Sequence, residues 1–354
     1  MSKIKVGIVG AGAIARNHIQ GVNKHPDAEC VAIADPSAER AGALAAEFKL
    51  SRTYADAREL FRDKGVDAVC LAVPNKHHAP LALAALEAGK HVMLDKPFAL
   101  NAAEAEQVAA AARGSGKVFT VGMNQRFTMD AQVVKAMVER GDLGEIYYAK
   151  AYWFRRSGIP KFGTWFCRKD EAGGGALLDI GVHYLDLCLH LMGNFEPVVV
   201  SGASYTKFGT RGLGEGGWGM SERGEQVFDV DDFTTGLIHF KNGATVSLEV
   251  SWAIHQETAN RNNVELFGTE GGAMVNPKAK LFRYSKERQG EYEALEPQDV
   301  KVRYPAQDRS VNWLDAILGK DKLCCPVEQA LAVQKILDAI YASAKNGGRE
   351  VRIG

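Results

Sequence analysis

The run GGGALLDIGVHYLDLCLH, residues 173 to 190, sets Asp179, His183, Asp186 and His190 at intervals of four, three and four. In a helix these polar side chains share one stripe, while Leu177, Leu178, Leu185 and Leu189 fall largely elsewhere. Three chemistries suit such a stripe. Imidazoles and a carboxylate on one helix face could ligate a metal, but the sequence supplies no obvious further cluster, and no metal is expected. Buried His and Asp could satisfy one another as a structural network. The third reading is catalysis. Glycines 173 to 175 bring the first turn close to something, and Asp179 and His183 lie near that end, whereas His190 is about 10 Å further along at helical rise. The stripe therefore divides: Asp179 and His183 are candidates for catalysis and substrate binding, Asp186 and His190 for structure. His183 suits general-base work because an imidazole titrates near neutrality. Lys96 is the second catalytic candidate. It stands directly before Pro97 at a strand end, where the proline stiffens the turn and limits where the lysine points; the alternative is a solvated loop lysine.

Elements that could hold these groups begin at the N-terminus. Residues 4 to 10, IKVGIVG, read as a buried parallel strand, and AIARNHIQGVNK as the helix after it. The join, Gly10-Ala11-Gly12-Ala13-Ile14-Ala15, has the form GxGxxA. Gly10 permits the tight turn, Gly12 lets backbone approach a pyrophosphate, and Ala15 allows close helix packing, with the helix start at Ala13 and Ile14 facing phosphates. A second strand, CVAIAD, ends at Asp35, 20 residues after Ala15, where an acid would bond an adenosine ribose. An acid there repels a 2′-phosphate, so NAD is expected over NADP. Asp35 capping the helix from Ser37 is the alternative.

Helices over 37–49, 78–88 and 102–113 alternate with strands over 66–74, 91–95 and 117–123, which predicts a doubly wound parallel sheet over residues 1–123. Ligands bind beyond the carboxyl ends of such strands, so Pro74-Asn75, Asp95-Lys96-Pro97 and Asn124-Gln125-Arg126 should face the cofactor crevice. Residues 124–354 change pattern. A helix (130–140), a strand (145–154) and the quoted helix precede hairpin-like strands around Lys241-Asn242-Gly243 and over 263–275, predicting a largely antiparallel sheet. Apolar alternation in LIHF, TVSLEV and VELF suggests that a partner subunit covers its outer face, giving a homodimer or homotetramer. Residues 206–225 form either a lid or a surface excursion. The arginines and aromatics of residues 153–166, Arg156 and Trp165 among them, could line a sugar site by donor bonds and stacking, as could Arg126; a solvated loop is the alternative. The helix over 327–346 could pack on either domain.

At 354 residues the chain is too long for one ordinary core. A formal net charge of zero gives no general pull toward phosphate backbones or anionic membranes, so neither nucleic acid nor lipid is an expected partner. No apolar run approaches membrane-spanning length, no signal peptide is apparent, and six scattered cysteines read as reduced, which predicts a cytoplasmic protein.

The GxGxxA turn with Asp35, Pro74-Asn75 followed by His78, Asp95-Lys96-Pro97, and the triple glycine before Asp179-xxx-His183 together resemble the Gfo/Idh/MocA family. The resemblance spans roughly residues 3 to 350. It implies a Rossmann domain followed by an α/β domain whose open, mainly antiparallel sheet often serves assembly. It also implies NAD(P)-dependent hydride transfer between a secondary hydroxyl or ketone of a sugar or polyol and nicotinamide. His78 and Asp95 join the cofactor residues on this ground, and Asp95 replaces the family's usual glutamate. A redox-assisted glycosidase and a non-catalytic dinucleotide-bound sensor are the alternatives on the same fold; the presence of Lys96, Asp179 and His183 argues against the sensor.

Overall fold

The computed structural model describes residues 3–219, 227–284, 292–295, 300–304 and 308–354, with 292–295 as a backbone strand. Residues 220–225 of the expected loop lie outside this set.

The first part of the chain runs β1 (Ile4–Val9), α1 (Ala15–Asn23), β2 (Ala28–Ala34), α2 (Ala38–Phe48), β3 (Arg52–Tyr54), α3 (Ala57–Arg62), β4 (Ala68–Leu71), α4 (His78–Glu87), β5 (His91–Leu94), α5 (Ala102–Ser115) and β6 (Phe119–Val121). Its six strands form one parallel sheet in the order β3-β2-β1-β4-β5-β6. Helices on both faces demand continuous apolar strands, and β4 and β6 are buried throughout. Side-chain caps start the helices: Ser37 accepts the Arg40 N–H before α2, and Asn101 accepts the Glu104 N–H before α5. Periodicity does not reveal β3 and α3. They are three and six residues long, too short for either period to show. Strand order reverses between β1 and β4, and a cleft opens beyond their carboxyl ends.

The remainder runs α6 (Met129–Glu139), β7 (Ile146–Arg155), α7 (Lys169–Ala172), α8 (Val182–Met192), β8 (Pro197–Tyr205), β9 (Phe233–Phe240), β10 (Thr245–Ser251), β11 (Asn260–Gly268), β12 (Gly272–Met274), β13 (Lys280–Tyr284), β14 (Tyr292–Leu295), α9 (Arg309–Ile317), α10 (Val327–Lys345) and β15 (Val351–Arg352). The second sheet has the order β14-β13-β12-β11-β7-β10-β9-β8-β15, antiparallel except where β7 meets β10. Helix α8 covers β7 and β11, and α10 covers β8 and β9. The apolar alternation points at these helices: Ile238, Val246, Leu248, Val250 and Val264 are fully buried. This corrects the assembly argument, because the chain's own helices cover those residues. The opposite face mixes Lys150, Glu249 and Ser247 with Tyr148, Tyr152, Leu237 and Phe267.

The two sheets share one core. Val69, Leu71, Val92 and Leu94 of the first belong to the same apolar cluster as Leu177, Leu185, Val246 and Leu248 of the second unit. Helix α10 packs on α5 and β6 as well as on β8, so it touches both units. Residues 308–320, expected in the second domain, return to the first: Trp313 and Leu314 join the core beneath α1, and Asp308 and Asp315 pair with Lys24 and His25 at 3.2 and 3.1 Å. The helical run Lys169–Met192 passes, by length and composition alone, for a membrane span, contrary to the sequence reading; 78% of its most apolar window is buried within the protein, as in a core helix.

Candidate active site

A single cleft of about 1560 Å³ collects most of the expected site residues. Gly10, Gly12, Ala13, Ile14 and Asp35 line one end, Pro74, Asn75, Asp95, Lys96 and Pro97 the middle, and Trp165, Asp179 and His183 the other end. Gly10 has φ of 97°, and a Cβ there would stand 2.2 Å from the Ala72 carbonyl oxygen, so only glycine closes this turn. A Cβ on Gly12 would meet nothing within 4 Å; its side lies open at the start of α1, the cradle a pyrophosphate needs. These residues fit a dinucleotide. Asp35 is buried and also braces the loop, accepting the Ala11 N–H at 2.7 Å, the Ser37 N–H at 2.8 Å and the Arg40 guanidinium at 3.0 Å. The alternative role of Asp35, capping the next helix, falls instead to Ser37, and Asp35 braces the loop while lining the cleft.

In the middle of the cleft Asp95 meets His18 of α1 and Arg309 of α9, each at 3.4 Å. Burial alone would raise the Asp95 pKa, but Arg309 and His18 together hold it far below the usual carboxylate range. Lys96, joined to Pro97 by a cis bond, donates to the Asp179 carbonyl oxygen at 2.8 Å and to Asp179 Oδ1 at 2.9 Å. Trp252 Nε1 donates to Asp179 Oδ2 at 2.8 Å. Burial again opposes ionisation of Asp179, yet Lys96, Arg155 and these bonds lower its pKa, so it is a carboxylate. An ammonium has three donors, and Lys96 keeps one for an oxygen in the cleft.

The quoted segment is not one regular helix. Leu177–Gly181 forms a π-turn that leads into α8, and the wide turn carries Asp179 toward Lys96. The glycines before it are needed for close approach: a Cβ on Gly175 would stand 1.9 Å from the Asp231 carbonyl oxygen. Asp231 holds this turn, accepting the Gly175 and Leu177 N–H groups at 2.7 and 3.0 Å. His183 faces the cleft. Burial and then the Lys96 charge push its pKa down to about 3, so the imidazole is neutral at pH 7. Its Nδ1 is buried and meets no partner among the described residues. Asp179 bonds Lys96 through Oδ1 and Trp252 through Oδ2 rather than this imidazole.

Asp186 and His190 lie away from the cleft. Asp186 pairs with Arg126 through two bonds of 2.8 and 2.5 Å, and burial, with Arg126 and Lys135 nearby, lowers the His190 pKa to about 2. Arg126 was expected at the substrate; instead it is fully buried, and it also donates to the Cys324 carbonyl and to Gln329. Only Asn124 of its turn reaches the cleft. His78 is likewise a brace rather than a cofactor contact, its two ring nitrogens lying 2.7 Å from the Pro97 and 3.0 Å from the Val73 carbonyl oxygens. Arg156 is exposed and donates to the Glu257 carbonyl. Ala15 lies fully buried under the glycine loop, as helix packing requires.

Residues 4–123 match the description "Oxidoreductase family, NAD-binding Rossmann fold", and residues 131–274 match "GFO/IDH/MocA C-terminal domain". D-glucoside 3-dehydrogenase of Escherichia coli K12 is 32% identical over 350 residues, covering 98% of this chain and 97% of that protein. The chain belongs to the Gfo/Idh/MocA family. It is an NAD(P)-dependent oxidoreductase. Levoglucosan dehydrogenase of Pseudarthrobacter phenanthrenivorans is 31% identical over 297 residues, covering 78% of this chain and 74% of its own. A solved structure of levoglucosan dehydrogenase in complex with NADH superposes with a TM-score of 0.83 at 25% identity, covering both chains fully.

Three residues at or beside the oxidoreductase's site, His18, Trp252 and Arg309, escaped the sequence reading. His18 left a signal, being a polar residue on the α1 stripe Ala15, Ile19, Val22. Trp252 stands just past the end of an alternating strand. Arg155, within the expected stretch 153–166, lies against Trp153 and Trp218, and strand alternation separates it from the exposed Arg156. Arg309 left no signal beyond a short amphipathic stretch far from the glycine loop in sequence.

Proposed function

We propose that this oxidoreductase oxidises a secondary hydroxyl of a sugar or polyol, or reduces the corresponding ketone, with NAD rather than NADP. The observation that carries the reading is the convergence of Lys96 from one unit with Asp179 and His183 from the other in the dinucleotide cleft. The relatives named for sugar oxidation, which cover most of the chain, support it. A bound nicotinamide supplies the hydride acceptor. Lys96, steered by Asp179, donates to the substrate oxygen and stabilises negative charge as it develops there. His183, neutral at the working pH, accepts the hydroxyl proton, which becomes strongly acidic as the carbon becomes a carbonyl. Trp165 and Phe166, stacked at 3.8 Å, offer an apolar wall to a sugar face. Incubation with NAD and a panel of sugars and polyols tests this by nicotinamide absorbance. Net reduction supports it; bond cleavage without net reduction favours the redox-assisted glycosidase, and no response favours the sensor.

Cofactor choice rests on Asp35, which would set a carboxylate beside a 2′-phosphate. NAD is expected to bind roughly tenfold or more tightly than NADP, since like charges side by side cost several kcal/mol. Dissociation constants measured side by side check this, and tighter binding of NADP sinks it.

We further propose a homodimer or homotetramer built on the outer face of the second sheet, where Leu237 and Phe267 are exposed and the Tyr148 ring packs at a tilt against Phe267. Light scattering is expected to show the assembly at micromolar concentration, and a monomer there refutes it. The proposed compartment is the cytoplasm, a reading supported by six cysteines that are all free and buried.

A further inference from the structure

Every second residue of β7 points at α8, and this inner face runs Ala149, Ala151, Trp153, Arg155 toward the level of His183. The Trp153 ring lies 6.3 Å from the His183 ring, and its Nε1 donates to Asn260 at 2.7 Å. Trp218 lines the cleft, and its Nε1 donates to the Gly158 carbonyl oxygen at 2.9 Å. The Arg155 guanidinium lies 4.6 Å from the centre of the first ring and 5.6 Å from that of the second. Two anchored indoles thus hold it by their faces and leave its N–H edges for a ligand.

Those edges have no protein acceptor among the described residues. The carboxylate whose charge reaches Arg155 is Asp179, and its Oδ1 is taken by Lys96 and its Oδ2 by Trp252. Arg155 lies beside the substrate end, packed on the cleft residue Trp218, and there Lys96 and Arg155 both act on the Asp179 carboxylate, while Asp95 meets Arg309 and His183 is neutral. A half-buried guanidinium in surplus is best satisfied by an anionic group with two oxygens in one plane. A purely structural stack that ties the Trp218 loop to β7 would need no such charge.

We propose that Arg155 is a subsite for an anionic substituent, a carboxylate or a phosphate, on the sugar that this enzyme takes. The proposal rests on the sugar reading above and narrows it to acidic sugars. The test uses the NADH-bound protein, titrated with D-glucuronate, D-glucose 6-phosphate and D-glucose and followed by calorimetry. At least one acidic sugar is expected to bind roughly 10- to 100-fold more tightly than glucose, the worth of a charge-assisted bond. Whichever acid leads identifies the group. Arg155→Gln should remove most of that advantage while weakening glucose far less. Glucose binding to the wild type as tightly as both acids would overturn the proposal, whether or not the variant folds. So would a variant that weakens all three sugars alike, the mark of a structural stack. Binding needs no turnover, so the two readings fail separately. If acids bind through Arg155 but no sugar reduces NAD, hydride transfer fails and the subsite stands; if neutral sugars reduce NAD and acids bind no better, the reverse holds.

Discussion

His183→Ala is expected to lower turnover by roughly two to four orders of magnitude, the worth of a positioned acid or base, with little change in NAD affinity. The side chain lies at the end of the cleft away from the glycine loop, so the adenosine end does not feel its loss. Steady-state kinetics and NAD titration of the same preparation check both halves. The contrast is His190→Ala, which removes a half-buried imidazole beside Arg126 and should cost about 0.5–3 kcal/mol of stability while sparing the chemistry of the folded protein. Loss of activity in a folded His190 variant, with activity kept in the His183 variant, would reverse the assignment along the stripe. A pH signature accompanies the first variant. An unfolded histidine has a pKa of about 6.5, whereas His183 in the folded chain is held near 3 by burial and then by Lys96. Between those values the unfolded chain binds more protons, so this contribution to stability is complete above about pH 6.5 and is lost as pH falls toward 3. His183→Ala should therefore flatten part of the acid limb of the stability curve, measured by denaturant midpoints.

Lys96→Met should lower turnover by about 10²- to 10³-fold, since it removes the donor that stabilises developing charge on the substrate oxygen. It differs from His183→Ala in two readouts. Lys96 depresses the His183 pKa, so its removal raises that pKa. The base must be neutral to act, and the residual activity should then fall off on the acid side at a higher pH than in the wild type. Lys96 also lines the middle of the cleft, so some NAD affinity is lost with it. A residual activity whose acid limb stays unmoved would show that the lysine charge does not reach the imidazole.

Much of this site is legible in the sequence because its parts sit where the fold leaves little choice. Gly10 closes a turn that no other residue can, Asp35 and Asp95 directly follow the strands β2 and β5 of the parallel sheet, and Lys96 is pinned by Pro97. The split of the polar stripe is legible from the glycines alone. What the sequence hides is set by packing across large separations. Arg126 ends a turn after β6, where strand-end logic places a ligand contact, yet Asp186 lies within reach and a buried ion pair forms instead. His78 follows Asn75 by three residues and opens α4, and its ring faces backbone carbonyls while the preceding His77 lines the cleft. The π-turn at Leu177–Gly181 has no periodic signature, and it is what parts Asp179 from the imidazole and hands it to Lys96 and Trp252. The cover of the alternating apolar residues in the second sheet is hidden for a related reason: alternation shows which residues are covered, not whose helix covers them.

The most direct measurement of the account is the fate of a deuterium placed on the carbinol carbons of a sugar that binds. After incubation with NAD, mass spectrometry of the isolated nucleotide should find the deuterium in NADH and a keto sugar in equal amount, with both formed roughly a hundredfold or more slowly in His183→Ala. NADH without deuterium, or a cleaved or unchanged sugar with no net NADH, would contradict hydride transfer from a secondary hydroxyl at this site.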